Sequence, residues 1–240
     1  MDNLNIVDGE IILTDENAAH AFVLRLKIGE KIVVCDGKAC DYHCIVDSIA
    51  KDQVHVKITN SVANAAEPPV FVTLFQGLPK GDKMEEIVEK CVELGISRIV
   101  PVVTARCVAK SSSRDTKKAM RWQKIGEAAA KQSQRGILPQ VSEILRFDEA
   151  LQLAKECNIV FACYELEDKL MLKGLLKALP KEITSLAFFI GPEGGFTNEE
   201  AAQFAENNIV TVSLGQRILR TETAGAAVLA NVLYELEEKS

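Results

Sequence analysis

Side chains and backbone able to grip a charged ligand are concentrated in two short stretches near the C-terminus. The first runs Gly191-Pro192-Glu193-Gly194-Gly195-Phe196-Thr197, directly after the apolar run 186–190. The second runs Leu214-Gly215-Gln216-Arg217-Ile218-Leu219-Arg220-Thr221-Glu222-Thr223-Ala224, directly after residues 209–213. Each leaves a buried-strand pattern and enters a helix pattern, and ligands of open parallel α/β sheets bind at that edge. Thr197 followed by Glu200 predicts a capping box and a helix starting at Asn198. The free N–H groups of that helix, with those of Gly194 and Gly195, favour an anion or a carbonyl oxygen.

The second stretch adds Arg217, Arg220 and Glu222 among apolar Leu214, Ile218 and Leu219. Backbone amides with leucine and isoleucine walls suit an adenine and a sulfonium-bearing cofactor, leaving Arg220 to reach an adjoining substrate. Neither stretch matches the G-x-G-x-x-G dinucleotide fingerprint, and no G-x-x-x-x-G-K-[ST] phosphate loop is present. The three histidines, His20, His43 and His55, all precede residue 60, so no hydrolase triad can be assigned to this edge. Seven scattered cysteines form no CxxC pair. Cys40, His43 and Cys44 lack a second half with ligand spacing, so no metal is expected and reduced thiols are the better reading.

The net charge of −6 conceals a division along the chain. Residues 1–70 carry six bases against eleven acids, and residues 151–240 carry eight against thirteen. Residues 71–150 reverse this, with fourteen against ten, and between Arg106 and Arg135 nine bases face only Asp115 and Glu127. Such a patch fits either a polyanionic partner or a solvated helix face. A hydrophobic fraction of 48% and a charged fraction of 26% are ordinary for a globular protein. No apolar stretch is long enough to span a bilayer and no signal-peptide pattern opens the chain, so a cytoplasmic protein is expected.

Two kinds of element must position these residues. Short strands at 9–13, 31–35, 42–49 and 54–58, with one helix at 15–26, predict a small β-barrel module. Residues 63–69 have linker composition, which divides the chain into domains 1–66 and 70–240. The second domain alternates strands (70–76, 98–103, 139–144, 159–164, 186–190, 209–213) with helices (82–94, 114–134, 148–156, 169–178, 198 onward, 223–236). That alternation predicts an α/β domain with a mostly parallel sheet. In the last helix Ala226, Ala227, Ala230 and Leu233 fall at helical spacing, which predicts a core-facing stripe.

At the two C-terminal stretches the chain resembles the SPOUT class of RNA methyltransferases, and within it the RsmE family, the 16S ribosomal RNA uracil-N3 methyltransferases. The matching residues are GPEGGF (191–196), LGQRILRTETA (214–224), KGDKMEEIVEKCVELGISRIVP (80–101), RWQKIGEAAAKQSQR (121–135) and LRLKIGEKIVVCDGK (24–38). Met1-Asp2-Asn3-Leu4 has no counterpart of the Arg-Phe-Phe-like segment with which that family usually opens. This departure implies a missing N-terminal RNA contact or a shortened N-terminus.

The resemblance implies a PUA-like RNA-binding barrel and a SPOUT α/β domain with a C-terminal trefoil knot, working as a homodimer that the Ala226, Ala227, Ala230 and Leu233 face of the last helix would help form. It implies S-adenosylmethionine bound by Tyr164, Glu165 and Leu166, by Ile190, Gly191, Glu193, Gly194 and Gly195, and by Leu214, Gly215, Ile218, Leu219, Arg220, Thr223 and Ala224. The acceptor would be N3 of a uridine in small-subunit ribosomal RNA, within the assembled subunit. Arg220 would stabilise the uracil anion or contact a phosphate. The proton would go to Glu222, another carboxylate or water, and Glu222 would otherwise cap its helix or orient Arg220. Arg25, Lys80, Arg106, Arg114, Lys117, Lys118, Arg121 and Arg135 would hold RNA. Competing readings are methylation of a ribose hydroxyl or a guanine ring nitrogen, a non-catalytic RNA-binding protein of the same fold, and a metabolite-binding α/β protein.

Overall fold

A computed structural model describes residues 4–107, 115–180 and 182–237. The expectations at Met1–Asn3, Lys110 and Arg114 therefore lie outside the described residues. The chain divides into two compact units, the first running to Glu67 and taking in Gln134–Leu138, the second comprising Pro68–Ser133 and the chain from Pro139.

The first unit is an antiparallel sheet of β1 (Asn5–Val7), β2 (Glu10–Leu13), β3 (Lys31–Cys35), β4 (Cys40–Ile49) and β5 (Val54–Ala63), in the order β1-β2-β5-β4-β3. Alternation along the strands turns Ile11, Leu13, Cys44, Val46, Val54 and Val56 onto one face. Helix α1 (Asp15–Val23) adds Ala21 to that core. Register shifts at His43/Cys44 and Val46/Ser48 mark bulges, which bend a strand.

The expected linker over 63–69 spans the boundary between the units, which falls after Glu67, and it also carries an anchor for a distant segment. β5 runs through Ala63, and Glu67 gathers the returning segment Gln134–Leu138. Its Oε1 accepts from Arg135 Nε (2.9 Å), Gly136 N (2.7 Å) and Ile137 N (3.0 Å), and its Oε2 from Arg135 Nη2 (2.8 Å). Ala39 N donates to Gly136 O at 2.8 Å, and Lys38 pairs with Ile137 in an antiparallel bridge.

The second unit is a parallel sheet of β6 (Phe71–Gly77), β7 (Arg98–Val103), β8 (Gln140–Val141), β9 (Leu145–Arg146), β10 (Ile159–Cys163), β11 (Ser185–Ile190) and β12 (Val210–Val212). Its order is β12-β10-β11-β6-β7-β8, with β9 also beside β7. The single strand expected over 139–144 is thus two short ladders along β7. Helices are α2 (Lys83–Glu93), α3 (Asp115–Gln132), α4 (Phe147–Ala154), α5 (Leu172–Lys177), α6 (Asn198–Glu206) and α7 (Thr221–Glu237).

Helices cover both faces, so central strands are mostly apolar, with Thr73 and Gln76 of β6 buried among them. Phe75 and Phe189 stack at 4.4 Å between ring centroids, and Phe204 of α6 meets Phe189 edge-on at 5.1 Å. Burying each such ring contributes about 1.5–3 kcal/mol. In α2, Met84, Ile87, Val88, Cys91 and Val92 are buried, as the 3.6-residue spacing predicts. In α7 the buried stripe is Ala224, Gly225, Val228, Leu229, Val232, Leu233 and Leu236. Of the expected stripe only Leu233 is buried; Ala226 and Ala227 are half-buried and Ala230 is exposed. Equal hydropathy of the alanines on both sides of α7 concealed its true rotation.

Strand order reverses between β6 and β11, since β7 and β8 lie on one side of β6 while β11 and β10 lie on the other. Ligands bind at the carboxyl ends of strands beside such a reversal. Register brings Phe161 of β10 opposite both Phe188 of β11 and Val210 of β12, so three neighbouring strands deliver their turns to one edge.

Candidate active site

Those turns enclose a cleft of about 500 Å³. The turn after β11 closes by Gly195 N donating to Pro192 O at 2.9 Å, with Gly195 at φ +64°. The left-handed φ favours glycine, and a Cβ at Gly195 would also displace the Glu165 carboxylate, whose Oε1 would lie 2.1 Å from it. Gly77, ending β6, is pressed against the same turn; a Cβ there would be 2.6 Å from Pro192. Arg106 braces the turn from outside, its Nη1 donating to Gly194 O at 2.6 Å. Thr197 Oγ1 accepts from Glu200 N (3.2 Å) while Glu200 Oε2 accepts from Thr197 N (2.9 Å), the predicted capping box.

The chain after β12 is fixed at both ends. Ser213 N donates to Leu170 O at 2.8 Å and Leu172 N donates to Ser213 O at 3.0 Å, lacing it to the segment that follows β10. At the other end Thr221 Oγ1 donates to Gly191 O (2.7 Å) and accepts from the buried Gln76 Nε2 (2.9 Å). Residues 214–220 therefore cross the carboxyl edge from β12, outside β10, to the end of β11. Thr223 N and Ala224 N both donate to Arg220 O at 2.9 Å, which starts α7 at this crossing.

Charge at the cleft is arranged around Lys83, the first residue of α2. Its Nζ lies 3.0 Å from Glu193 Oε1 and 3.3 Å from Glu222 Oε2. Glu193 also accepts from Lys80 N at 3.1 Å. Arg220 Nη1 stands 3.9 Å from Glu222 Oε1, with its side chain 83% exposed. The Glu222 carboxyl is held below the usual carboxylate range, first by its own backbone N–H at the start of α7, then against burial by Lys83 and Arg220. Glu193 is lowered too: burial opposes ionisation, but backbone N–H groups and Lys83 outweigh it.

Tyr164, Glu165, Ile190, Gly191, Glu193, Gly194, Gly195, Leu214, Gly215, Ile218, Leu219, Arg220 and Ala224 all line the cleft. Leu166 and Thr223 do not: Leu166 points to solvent, and Thr223 borders a second hollow on the outer side of α7. Glu222 sits behind Lys83 and Arg220. Lys83, Cys163, Pro192, Ser213, Arg217 and Thr221 also line the cleft, although neither Lys83 nor Cys163 belongs to a turn motif. One signal for Lys83 was present: a cation in the first turn of a helix opposes the macrodipole.

Of the expected RNA contacts, Arg25 is exposed in the first unit; Lys80, Lys117, Lys118 and Arg121 are exposed in the second. Arg121 pairs with Glu85 at 2.7 Å. Arg106 remains half-exposed beside the cleft. Arg135 requires a correction, because its side chain is 2% exposed and its guanidinium is bound by Glu67. It is a structural cation that RNA cannot reach.

Two family models match the chain: an RNA methyltransferase PUA domain over residues 13–59 and an RNA methyltransferase domain over residues 66–233. A ribosomal RNA small subunit methyltransferase E from Bacillus subtilis (strain 168) is 35% identical, covering 94% of this chain and 90% of its own. One from Synechocystis sp. is 36% identical, covering 97% and 75%. The crystal structure of a ribosomal RNA small subunit methyltransferase E from Neisseria gonorrhoeae, bound to S-adenosyl methionine, superposes with a TM-score of 0.81. It is 32% identical, covering 95% of this chain and 92% of that one. With its glycine-built cleft and a likeness that runs through both units, the chain belongs to the RNA methyltransferase family that includes the ribosomal RNA small subunit methyltransferases E.

Proposed function

We propose that the protein methylates N3 of a specific uridine in small-subunit (16S) ribosomal RNA, with S-adenosylmethionine as methyl donor. The observation that carries this reading is the cleft itself, floored by main chain and bordered by an exposed arginine. Its volume of about 500 Å³ lies within the range of small-molecule sites. Ile190, Leu214 and Leu219 offer apolar walls to an adenine, and backbone groups of the turns after β10, β11 and β12 offer polar partners. Glu165 and Glu193 suit the positive charge of a sulfonium and an amino group. The residues present therefore fit the donor, which when bound supplies a methyl group activated on cationic sulfur.

The protein's part is positioning and charge. N3 of neutral uracil carries a proton and becomes nucleophilic when that proton leaves, with the negative charge spread over the ring oxygens. Arg220, extended from the start of α7, stabilises that charge as it develops. The N3 proton goes to Glu222, another carboxylate or water. Glu222, whose carboxyl is held below its ordinary value by its helix start, Lys83 and Arg220, also serves as a counter-charge to Arg220.

In this reading domain 1–66 and the bases of α3 hold RNA through phosphates, while the target base enters the cleft unstacked. The substrate is the assembled subunit in the cytoplasm. The protein acts as a homodimer, supported by the open stripe Thr223, Ala227, Asn231 and Tyr234 along α7, with Met171 and Leu172 at the same hollow. The crossing of residues 214–220 from β12 to the end of β11 is what a threaded, trefoil-knotted C-terminus requires. The test is transfer of a labelled methyl group from S-adenosylmethionine to small ribosomal subunits lacking uracil-N3 methylation, followed by mass spectrometry of the nucleosides. Label as 3-methyluridine is expected; label in a ribose or a guanine would overturn the acceptor.

A further inference from the structure

Arg220 can serve an acceptor only while it stays extended, yet an ionised carboxylate lies beside it. Glu222 Oε1 is 3.9 Å from Arg220 Nη1, longer than a formed charge-assisted bond of about 2.7–2.9 Å. The other oxygen, Oε2, is buried and makes no hydrogen bond. What it does have is the ion contact with Lys83 at 3.3 Å. Lys83 is in turn anchored by Glu193 at 3.0 Å, and Glu193 is tied to the backbone of Lys80. Three elements thus meet at one ammonium: α2 supplies it, the turn after β11 anchors it, and α7 presents Glu222 to it.

We propose that Lys83 is a positioning residue for methyl transfer: it holds Glu222 back, so that Arg220 remains open to the acceptor. The inference rests on the methyltransferase reading above. With Lys83 in place, Glu222 has its ammonium at 3.3 Å and Arg220 at 3.9 Å, with Lys90 acting on it from farther off. Without it, Arg220 becomes the cation nearest Glu222, and an exposed, flexible guanidinium closes the remaining gap. The hydrogen bond from Lys83 to Glu193 raises the pKa of the ammonium above the ordinary lysine value against the opposing effect of burial, so the clamp stays charged.

The test compares wild type, Lys83→Met, Lys83→Arg and the double variant Lys83→Met/Glu222→Gln. Each is assayed for methyl transfer to unmethylated small subunits and titrated with S-adenosylmethionine. Lys83→Met should lower kcat by about a hundred-fold, the scale of a 1 Å misplacement, with the dissociation constant for S-adenosylmethionine changing far less than kcat. Lys83→Arg should retain most activity. The double variant should recover much of the lost kcat, because a neutral amide no longer captures Arg220. In crystals of Lys83→Met the Arg220–Glu222 separation should contract from 3.9 Å to hydrogen-bonding distance.

An unchanged kcat in Lys83→Met, a double variant no faster than Lys83→Met, or an unchanged separation would overturn the proposal. Failure of the methyltransferase reading itself would show in the wild type, as transfer to another nucleoside or none. The crystallographic result does not depend on that activity.

Discussion

Two clusters of carboxylates and cations, each tying together parts of the chain far apart in sequence, end in opposite states. In the first unit Glu67 and Arg135 are joined by two bonds, and the remaining capacity of Glu67 is filled by the N–H groups of Gly136 and Ile137. Arg135 is sealed from solvent. In the second unit Lys83 bridges Glu193 and Glu222, while Arg220 stands off at 3.9 Å and projects outward. A closed pair fixes a chain path; a cluster with one extended cation is available for chemistry. Both arginines were equal candidates for a ligand by charge alone, and burial with bonding geometry separates them.

The largest expected effect comes from breaking the closed pair. Glu67→Ala leaves Arg135 buried without its carboxylate and should destabilise the first unit by about 3–5 kcal/mol in urea unfolding followed by circular dichroism. A loss under about 1 kcal/mol would reduce it to the worth of a surface pair. The same pair predicts a pH dependence. Burial raises the Glu67 pKa, but Arg135 and the Ile137 and Gly136 N–H groups outweigh it and hold the carboxyl below its ordinary value. Its contribution is therefore present above the unfolded value of about 4.3 and is lost as pH falls through the lower folded value. Melting curves of wild type and Glu67→Ala should converge below about pH 4. Curves that stay parallel would contradict the assignment.

Next in size is Gly195→Ala. A left-handed backbone costs an L-residue about 1–2 kcal/mol, and the added Cβ also meets Glu165. S-adenosylmethionine affinity should fall by about tenfold or more for a cost of 1.4 kcal/mol upward, with the first unit's unfolding unaffected. Retained affinity would remove this turn from the donor site. The smallest effect is expected on the open face of α3. Lys117→Ala with Lys118→Ala should weaken RNA binding at low salt and reduce the salt slope by about 0.7–0.9 for each phosphate no longer neutralised. An unchanged slope would leave those lysines as a solvated helix face.

Local rules made much of this legible in the sequence. The β7 bounds follow from an apolar, β-branched run, and the start of α6 at Asn198 follows from Thr197 and Glu200. The pairing of the turns after β11 and β12 in one cleft follows from strand-to-helix alternation. What escaped depends on partners distant in sequence. β1 is a three-residue edge strand, too short to show a period. The return of residues 134–138 to the first unit rests on Glu67, which looked like part of a linker. The place of Lys83 in the cleft escaped as well, because both its carboxylate partners lie beyond residue 190.

The contrast between the two arginines is tested most directly by measuring, for Arg135→Ala and Arg220→Ala side by side, the unfolding midpoint and the single-turnover rate of methyl transfer to unmethylated small subunits. Arg220→Ala should keep the wild-type midpoint and lose far less S-adenosylmethionine affinity than rate, which falls by about 10²–10³, the cost of removing one charge-stabilising donor. Arg135→Ala should lower the midpoint while leaving S-adenosylmethionine affinity intact. Loss of stability in Arg220→Ala, or equal losses of rate and S-adenosylmethionine affinity in that variant, would contradict the account.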